Sequence, residues 1–167
     1  MRRFWSRIET PFQPMAAWVD EDGRLLRFHL RAGGAEAVDS EATHDPARLA
    51  EVQRQVTDYC EGRRTAFELA LAPEGPPFEM TVWQALRAIP FGTTTSYGAV
   101  AKAIGQPGAA RAVGAANNAN PIALVIPCHR VIGADGQLVG YGGGLALKRK
   151  LLEHEARVCG TRYDLFG

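Results

Sequence analysis

Hydrophobic and polar positions form short alternating runs in the first part of the chain. Two apolar-rich runs, residues 15–19 and 25–30, flank Asp20-Glu21-Asp22-Gly23, which has the composition of a tight turn. This pattern predicts a β-hairpin. Residues 31–44 are rich in glycine, alanine and acidic side chains and predict a loop, whereas residues 67–71 predict a further strand.

A helix is predicted between that loop and that strand. Asp45 suits the N-cap and Pro46 suits the first helical position. Gly62 suits the C-terminal cap. The apolar residues between them recur at helical spacing: Leu49, Val52, Val56 and Tyr59.

A Pro- and Gly-rich stretch, residues 72–77, has the composition of a linker. We therefore predict an α/β domain over residues 1–76 and a mostly helical domain over residues 77–167. The second domain is predicted to begin with a helix that ends before Pro90. One face of this helix carries Phe78, Val82, Leu86 and Ile89.

The pattern that follows is a helix over residues 95–104, a Gly/Pro turn over residues 105–108 and a second helix over residues 109–118. It matches a helix-turn-helix in length and turn chemistry. A simple antiparallel helix pair has the same spacing, so both interpretations stay open at this point. The second helix carries mostly alanine and glycine with one long cation, Arg111, so it can approach another surface closely.

The composition is that expected of a soluble globular protein. It has 167 residues, of which 46% are hydrophobic and 22% charged. No apolar run approaches the roughly 20 residues that span a bilayer, and the first residues lack the apolar segment of a signal peptide. We therefore expect a cytoplasmic protein without a membrane partner.

Charge and cysteine usage narrow the expected partners. Residues 1–76 carry 10 Lys and Arg against 13 Asp and Glu, whereas residues 77–167 carry 9 against 5. The second half therefore suits an anionic partner. The three cysteines, Cys60, Cys128 and Cys159, are too few and too far apart for a disulfide framework or a zinc knuckle. Cys60 and Cys159 receive no predicted chemistry.

The candidate nucleophile lies in the basic half. Cys128 stands beside His129 after the apolar run 122–126. A thiol reacts as thiolate, which a neighbouring proton acceptor and positive charge favour. By itself the pair also fits a buried structural cysteine or a Cys-His-acid hydrolase, so the surrounding residues must decide.

Those surroundings resemble one family, the O6-alkylguanine-DNA alkyltransferases. The central string is Pro127-Cys128-His129-Arg130-Val131, with Asn120-Pro121 before it and Gly140-Tyr141-Gly142-Gly143-Gly144 after it. The resemblance covers roughly residues 78–155 and is specific, because several strings occur in the same order and spacing. The other matching strings are Val82-Trp83, Ile89-Pro90-Phe91-Gly92, Ser96-Tyr97-Gly98, Ala110-Arg111-Ala112-Val113-Gly114 and the segment from Lys148 to Glu155.

The resemblance implies a ribonuclease H-like α/β N-terminal domain. It also implies a mostly α C-terminal domain with a winged-helix-like helix-turn-helix. Such proteins repair O6-alkylguanine, and in some members O4-alkylthymine, by irreversible transfer of the alkyl group to their own cysteine. Each molecule acts once, without cofactor or metal.

The implied partner is double-stranded DNA carrying alkylated guanine, approached from the minor-groove side. The expected state is a monomer, with cooperative assembly on DNA left open. The rival interpretation is a non-catalytic alkyltransferase-like protein that only binds lesions. In those proteins another residue, usually tryptophan, replaces the reactive cysteine.

The resemblance also implies individual roles in catalysis. Cys128 would be the nucleophile, and His129 would take its proton through a water. Glu155 would orient the imidazole, as the acid does in other triads. From the residue types themselves we expect Asn120 to tie the recognition helix to the reactive loop. We expect a structural role for Arg130, which would pair with a carboxylate or carbonyls.

Further residues are implied to bind the flipped base and the duplex. The Tyr97 hydroxyl would donate to a ring nitrogen and the Gly142 N–H to O6, while the carbonyls of Cys128 and Val131 would accept from the exocyclic amine. Arg111 would fill the space left by the extruded nucleotide. The implied substrate-binding residues are Tyr97, Val131, Tyr141, Gly142 and Gly143. The implied DNA-binding residues are Thr95, Ser96, Ala110, Arg111 and Ala112.

Overall fold

The computed structural model of the chain describes residues 1–136, 141 and 144–160. Its contacts form two units, of which the first contains residues 1–74 and 121–123 and the second contains the rest. That residues 1–76 fold as an independent domain stays a prediction. Among the described residues, no helix is long and apolar enough to cross a membrane.

The first unit is built on a mixed four-stranded sheet with the strand order β3-β2-β1-β4. The first three strands pair antiparallel, whereas β4 pairs parallel with β1. All six residues of β2 are buried, so this strand forms the centre of the core. The strands are β1 (Arg3–Ile8), β2 (Met15–Asp20), β3 (Leu25–His29) and β4 (Thr43–His44).

The predicted hairpin and the predicted helix of this unit are both present. The Gly23 N–H donates to the Asp20 carbonyl at 3.1 Å and closes the turn between β2 and β3. The helical segment begins with a 3₁₀ turn, Pro46–Leu49, and continues as an α-helix, Ala50–Cys60, which is α2 below. Asp45 is the N-cap residue and Pro46 the first residue of the segment, as predicted, although the Asp45 side chain makes no capping hydrogen bond.

Two predictions for this unit were wrong, and one strand, β1, was missed. The predicted loop 31–44 contains helix α1 (Ala35–Val38) as well as β4. Such short elements depend on tertiary packing more than on local pattern. Residues 67–71 form no strand apart from one bridge between Leu71 and Leu25. This segment covers the edge of β3 instead, through the bonds Leu25 N–H to Ala70 O (2.8 Å) and Ala72 N–H to Leu25 O (2.9 Å).

The second unit is mostly helical. Helix α3 ends at Leu86, earlier than predicted, and Ile89 lies buried in the turn that follows. Pro90 disfavours helical geometry at Ile89. The residues after Leu86 form a tighter turn, in which the Ala88 N–H donates to the Ala85 carbonyl and the Ile89 N–H to the Leu86 carbonyl, both at 3.1 Å. The elements are α3 (Pro77–Leu86), β5 (Thr95–Ser96), α4 (Tyr97–Ala103), α5 (Ala110–Asn118), a 3₁₀ turn (Cys128–Arg130), β6 (Val131–Ile132) and α6 (Leu145–Val158).

The two helices predicted on either side of the Gly/Pro turn are present as α4 and α5. The Ser96 side chain caps α4 by accepting the Ala99 N–H at 3.1 Å, and Gly105, with φ of 76°, ends it. The Trp83 indole N–H donates to the Ala116 carbonyl at 2.8 Å and fixes the last turn of α5 against α3. The two helices therefore have a fixed relation to the rest of the unit.

A two-stranded parallel pairing brings the start of α4 to the reactive segment. Strand β5 pairs with β6 through Thr95 opposite Val131 and Ser96 opposite Ile132. Because β6 directly follows the 3₁₀ turn that contains Cys128, this pairing places Tyr97 beside that turn.

Candidate active site

The site is centred on Cys128, whose residue surface is only 5% exposed. It opens the 3₁₀ turn, where its N–H donates to the Ile126 carbonyl at 2.7 Å. Its own carbonyl accepts the N–H of Val131. Pro127 precedes the turn with φ of −79°, which its ring fixes near that value. The local sequence therefore holds the cysteine in a rigid, buried turn.

A buried ionic cluster lies next to the cysteine. His129 Nε2 is 2.6 Å from Glu155 Oε2. The Arg130 guanidinium reaches the same carboxylate through Nε to Oε1 at 2.8 Å and a terminal nitrogen to Oε2 at 3.1 Å. Buried charges are tolerated only when they are paired and hydrogen-bonded in this way.

The turn between α3 and β5 closes this cluster. The Arg130 guanidinium also donates to the Ile89 carbonyl at 2.8 Å and lies 5.6 Å from the centre of the Phe91 ring. The Gly92 N–H donates to Glu155 Oε1 at 3.2 Å. Arg130 thus pairs with a carboxylate and with a carbonyl, as expected. Its buried guanidinium orients Glu155.

The cluster determines the protonation of the triad. Burial alone would raise the pKa of Glu155, but the interactions with His129 and Arg130 outweigh it and hold this pKa well below its usual range. Burial lowers the pKa of His129, and Glu155 only partly opposes this effect. A neutral imidazole that donates Nε2–H to Glu155 carries its lone pair on Nδ1. This Nδ1 is buried and has no hydrogen-bond partner among the described residues.

Several groups act on the thiol. Burial raises the pKa of Cys128, whereas a hydrogen bond from Asn120 and the charge of Lys148 lower it. Lys148 is fully buried and donates to the Val131 carbonyl at 2.6 Å. Burial lowers the pKa of Lys148 to about 8. The thiolate is therefore disfavoured by desolvation and favoured by one cation and one amide.

Two asparagines connect α5 and its C-terminal end to the reactive segment. Asn120 Nδ2 donates to the Ile126 carbonyl at 2.8 Å, as expected of that residue. Asn117 Nδ2, in the last turn of α5, donates to the Cys128 carbonyl at 3.3 Å. The two peptides that flank Pro127 and Cys128 are thus fixed by amide side chains.

The structure brings part of the predicted base-binding set together. Tyr97 is half-buried at the start of α4, and its ring faces Gly114 of α5, where an added Cβ would lie 3.8 Å from the ring. Tyr141 is half-buried, and its hydroxyl has no hydrogen-bond partner in the part of the chain that the structure describes. Burial and the Cys128 charge raise the pKa of both tyrosines. Gly142 and Gly143 lie outside the described residues.

The predicted DNA-binding residues occupy two places in the second unit. Ala110, Arg111 and Ala112 form the first turn of α5, where Arg111 and Ala112 are exposed. Thr95 and Ser96 are partly exposed in β5. Arg111 stands at the end of α5 opposite to Asn117, so it does not share the thiol site.

Sequence reasoning missed Asn117 and gave no role to Lys148. Lys148 belongs to the matched segment 148–155, which was an available signal. Asn117 is one of two adjacent asparagines, and only the phase of α5 shows that Asn117 is buried while Asn118 is exposed. Across the described residues, no group of three or more His, Cys, Asp or Glu side chains could hold a metal ion.

The chain is similar to known proteins over most of its length. A family described as 6-O-methylguanine DNA methyltransferase, DNA binding domain, matches residues 77–157. A methylated-DNA–protein-cysteine methyltransferase from Methanosarcina acetivorans is 44% identical, over 91% of this chain and 97% of the relative. The protein of the same name from Mycobacterium tuberculosis is 53% identical, over 89% of both chains.

Solved structures give the same result. The crystal structure of Mycobacterium tuberculosis OGT in complex with DNA has a TM-score of 0.86 and 40% sequence identity, covering 98% of this chain and 99% of that chain. The crystal structure of Mycobacterium tuberculosis O6-methylguanine methyltransferase has a TM-score of 0.84 at 40% identity, covering 98% and 97%. The mixed sheet and helices described above are therefore the fold of these structures.

Proposed function

Because the chain belongs to the 6-O-methylguanine DNA methyltransferase family, we propose that it repairs DNA by moving an alkyl group from O6 of guanine to its own Cys128. The observation that carries the proposal is the buried thiol beside His129, whose Nδ1 is left as a proton acceptor by the bond from Nε2 to Glu155. The reaction needs no cofactor, because the protein itself is the acceptor.

The geometry supports a defined sequence of proton and alkyl transfers. His129 Nδ1 takes the thiol proton, directly or through a water, and Glu155 stabilises the imidazolium that forms. The Cys128 thiolate attacks the alkyl carbon, so that a C–S bond forms and the C–O bond breaks. The electron pair of that bond passes to O6 and is shared with the guanine ring. The Gly142 N–H, donating to O6, and the Tyr97 hydroxyl, donating to a ring nitrogen, lower the cost of this charge. A thioether does not hydrolyse readily, so each molecule acts once.

The base pocket is assigned to Tyr97, Val131, Tyr141, Gly142 and Gly143, with the carbonyls of Cys128 and Val131 accepting from the exocyclic amine. Asn120 holds the peptide before Pro127 and donates to the thiol. The substrate class is O6-alkylguanine, with O4-alkylthymine as a second candidate substrate.

The lesion base is reached from double-stranded DNA by flipping, which costs a few kcal/mol. The small side chains of α5 support docking along the minor groove, with Arg111 filling the vacated space. The surface set is Thr95, Ser96, Ala110, Arg111 and Ala112. We assign the protein to the cytoplasm, where it would meet its DNA substrate. We assign the monomer as the unit that acts on DNA.

Finer fold relations belong to the same proposal. The order β3-β2-β1-β4 with one parallel edge strand supports a ribonuclease H-like first domain. The α4–α5 pair, together with the β5–β6 pairing, supports a winged-helix-like second domain. The rival of a non-catalytic lesion-binding protein is disfavoured, because Cys128 is present together with a complete buried acid–base cluster.

The test is the intact mass of the protein after incubation with duplex DNA carrying O6-methylguanine. The parent protein and Cys159→Ala should each gain one methyl group per molecule, and Cys128→Ala should gain none. Cys159 is the matched thiol because it is exposed in the same unit. Binding of lesion DNA without any gain in mass would replace this proposal with the lesion-binding one.

A further inference from the structure

Asn117 contacts the reactive residue through its backbone. The residue is 1% exposed in the last turn of α5, and its Nδ2 donates to the Cys128 carbonyl at 3.3 Å. Its Oδ1 has no hydrogen-bond partner among the residues that the structure describes. The bond to Cys128 is therefore the polar contact in this region that orients the Asn117 amide.

The same carbonyl is held from a second side. The Val131 N–H donates to it and closes the 3₁₀ turn. The direction of the Cys128 carbonyl is thus fixed by its own turn and by α5 together. A hydrogen bond to a carbonyl oxygen weakens as its geometry departs from the preferred direction.

The second carbonyl of the base pocket is held in a similar way. The Val131 carbonyl accepts from the Nζ of Lys148 at 2.6 Å, and Lys148 is fully buried. Both carbonyls assigned to the guanine amine are therefore fixed by a buried donor of the protein. Lys148 is unsuitable for isolating this effect, because its charge also acts on the thiol.

We propose that Asn117 is a positioning residue for recognition of the exocyclic amine of the flipped guanine, which it serves by fixing the Cys128 carbonyl. This inference rests on the proposed function. In this role Asn117 acts through the Cys128 carbonyl, to which its Nδ2 donates. Because the first turn of α5 carries the DNA-facing residues, the bond also links the DNA-docking helix to the peptide that carries the nucleophile.

A purely structural role for Asn117 makes a different prediction. A buried amide that only stabilises the fold would, when removed, slow transfer from every substrate to the same extent. A residue that positions the carbonyl for the amine affects only substrates that have the amine. The ratio of the rates for two substrates therefore separates the two roles.

The experiment compares duplexes that carry O6-methylguanine or O6-methylhypoxanthine at the same position, since these bases differ only in the exocyclic amine. Single-turnover rates of methyl transfer are measured for the parent protein and for Asn117→Leu, which has similar volume and no donor. We expect the parent's preference for O6-methylguanine to fall by roughly 3- to 10-fold in the variant, the size of one hydrogen bond. Transfer from O6-methylhypoxanthine should change little.

Asn118→Leu is the matched control, because Asn118 is the exposed neighbour on the same helix. It should keep the parent's preference. Asn117→Ala is a second variant, and in both Asn117 variants the Val131 N–H still satisfies the Cys128 carbonyl, so folding is expected and is checked by thermal unfolding. An unchanged preference in the folded variants overturns the inference. If the parent transferred no methyl group from the O6-methylguanine duplex or from the O6-methylhypoxanthine duplex, the proposed function itself would be overturned.

Discussion

At the scale of single residues, the site depends on how one carboxylate is satisfied. Glu155 is fully buried, yet it accepts from His129, from Arg130 and from the Gly92 N–H. Arg130 supplies the compensating charge, so His129 is free to stay neutral until it receives a proton. The ionised Glu155 therefore stabilises the folded state and orients the His129 imidazole at the same time.

We expect Glu155→Gln to lower the free energy of unfolding at pH 7 by about 3–5 kcal/mol, because it leaves Arg130 buried without its counter-charge. The pKa of Glu155 is lowered in the folded state. Its contribution is therefore complete above the unfolded value of about 4.3 and is lost as the pH falls further toward the folded pKa. Denaturant unfolding of parent and variant between pH 7 and pH 3 should show the difference narrowing below about pH 4.3.

Glu153→Gln is the control for this prediction, since Glu153 lies two residues before Glu155 on α6 and its side chain is exposed. Its effect should stay within about 0.5 kcal/mol. A difference between parent and Glu155→Gln that stayed constant down to pH 3 would mean that folding does not lower the pKa of Glu155.

At the scale of elements, α5 serves two surfaces. Its buried side packs Val113 and Ala116 and carries Asn117, while Arg111 and Ala112 are exposed at its first turn. The exposed turn is far along the helix from the residues that touch the Cys128 peptide. If the first turn of α5 docks on DNA as proposed, we expect mutations there to affect docking without affecting chemistry at the thiol.

We expect Arg111→Ala to slow methyl transfer from duplex O6-methylguanine by about tenfold or more, because the flipped state would lose the side chain that we propose fills the vacated space. Transfer from the free base O6-benzylguanine should stay near the parent rate, since no duplex must be opened. The rate of Cys128 alkylation, measured with each of the two substrates, shows whether the slowing is specific to the duplex.

Arg157→Ala, at an exposed position on α6, is the matched loss of a surface cation. It should leave both rates close to those of the parent. Equal slowing of both substrates by Arg111→Ala would contradict the assignment of Arg111 to the duplex.

At the scale of the whole molecule, the product of the reaction is a changed protein. The thiol of Cys128 is buried in a packed turn beside a paired ionic cluster. An added methyl group in such a site forces neighbouring side chains to move, which typically costs about 1–3 kcal/mol. Since the transfer is irreversible, this loss of stability persists in every molecule that has acted.

We therefore expect the methylated protein to unfold at a lower temperature than the unreacted protein. Calorimetry of samples before and after complete reaction, with DNA removed, measures the shift. Cys128→Ala exposed to the same DNA is the control and should show no shift. A methylated protein of equal or higher stability would mean that the pocket accommodates the added group without displacement.

The sequence by itself determined the elements with strong local signals and the identity of the chemistry. The turn at Gly23, the helix after Pro46 and the α4–α5 pair follow from periodicity and turn residues, and the string around Cys128 and His129 identified the family. Tertiary structure alone decided the short elements α1 and β4, the use of residues 70–72 to cover an edge, and the burial of Asn117 and Lys148. The physical reason is that the pattern of hydrophobic and polar positions reflects which residues prefer burial. The carbonyl that a buried donor meets depends instead on elements that folding brings together from distant parts of the chain.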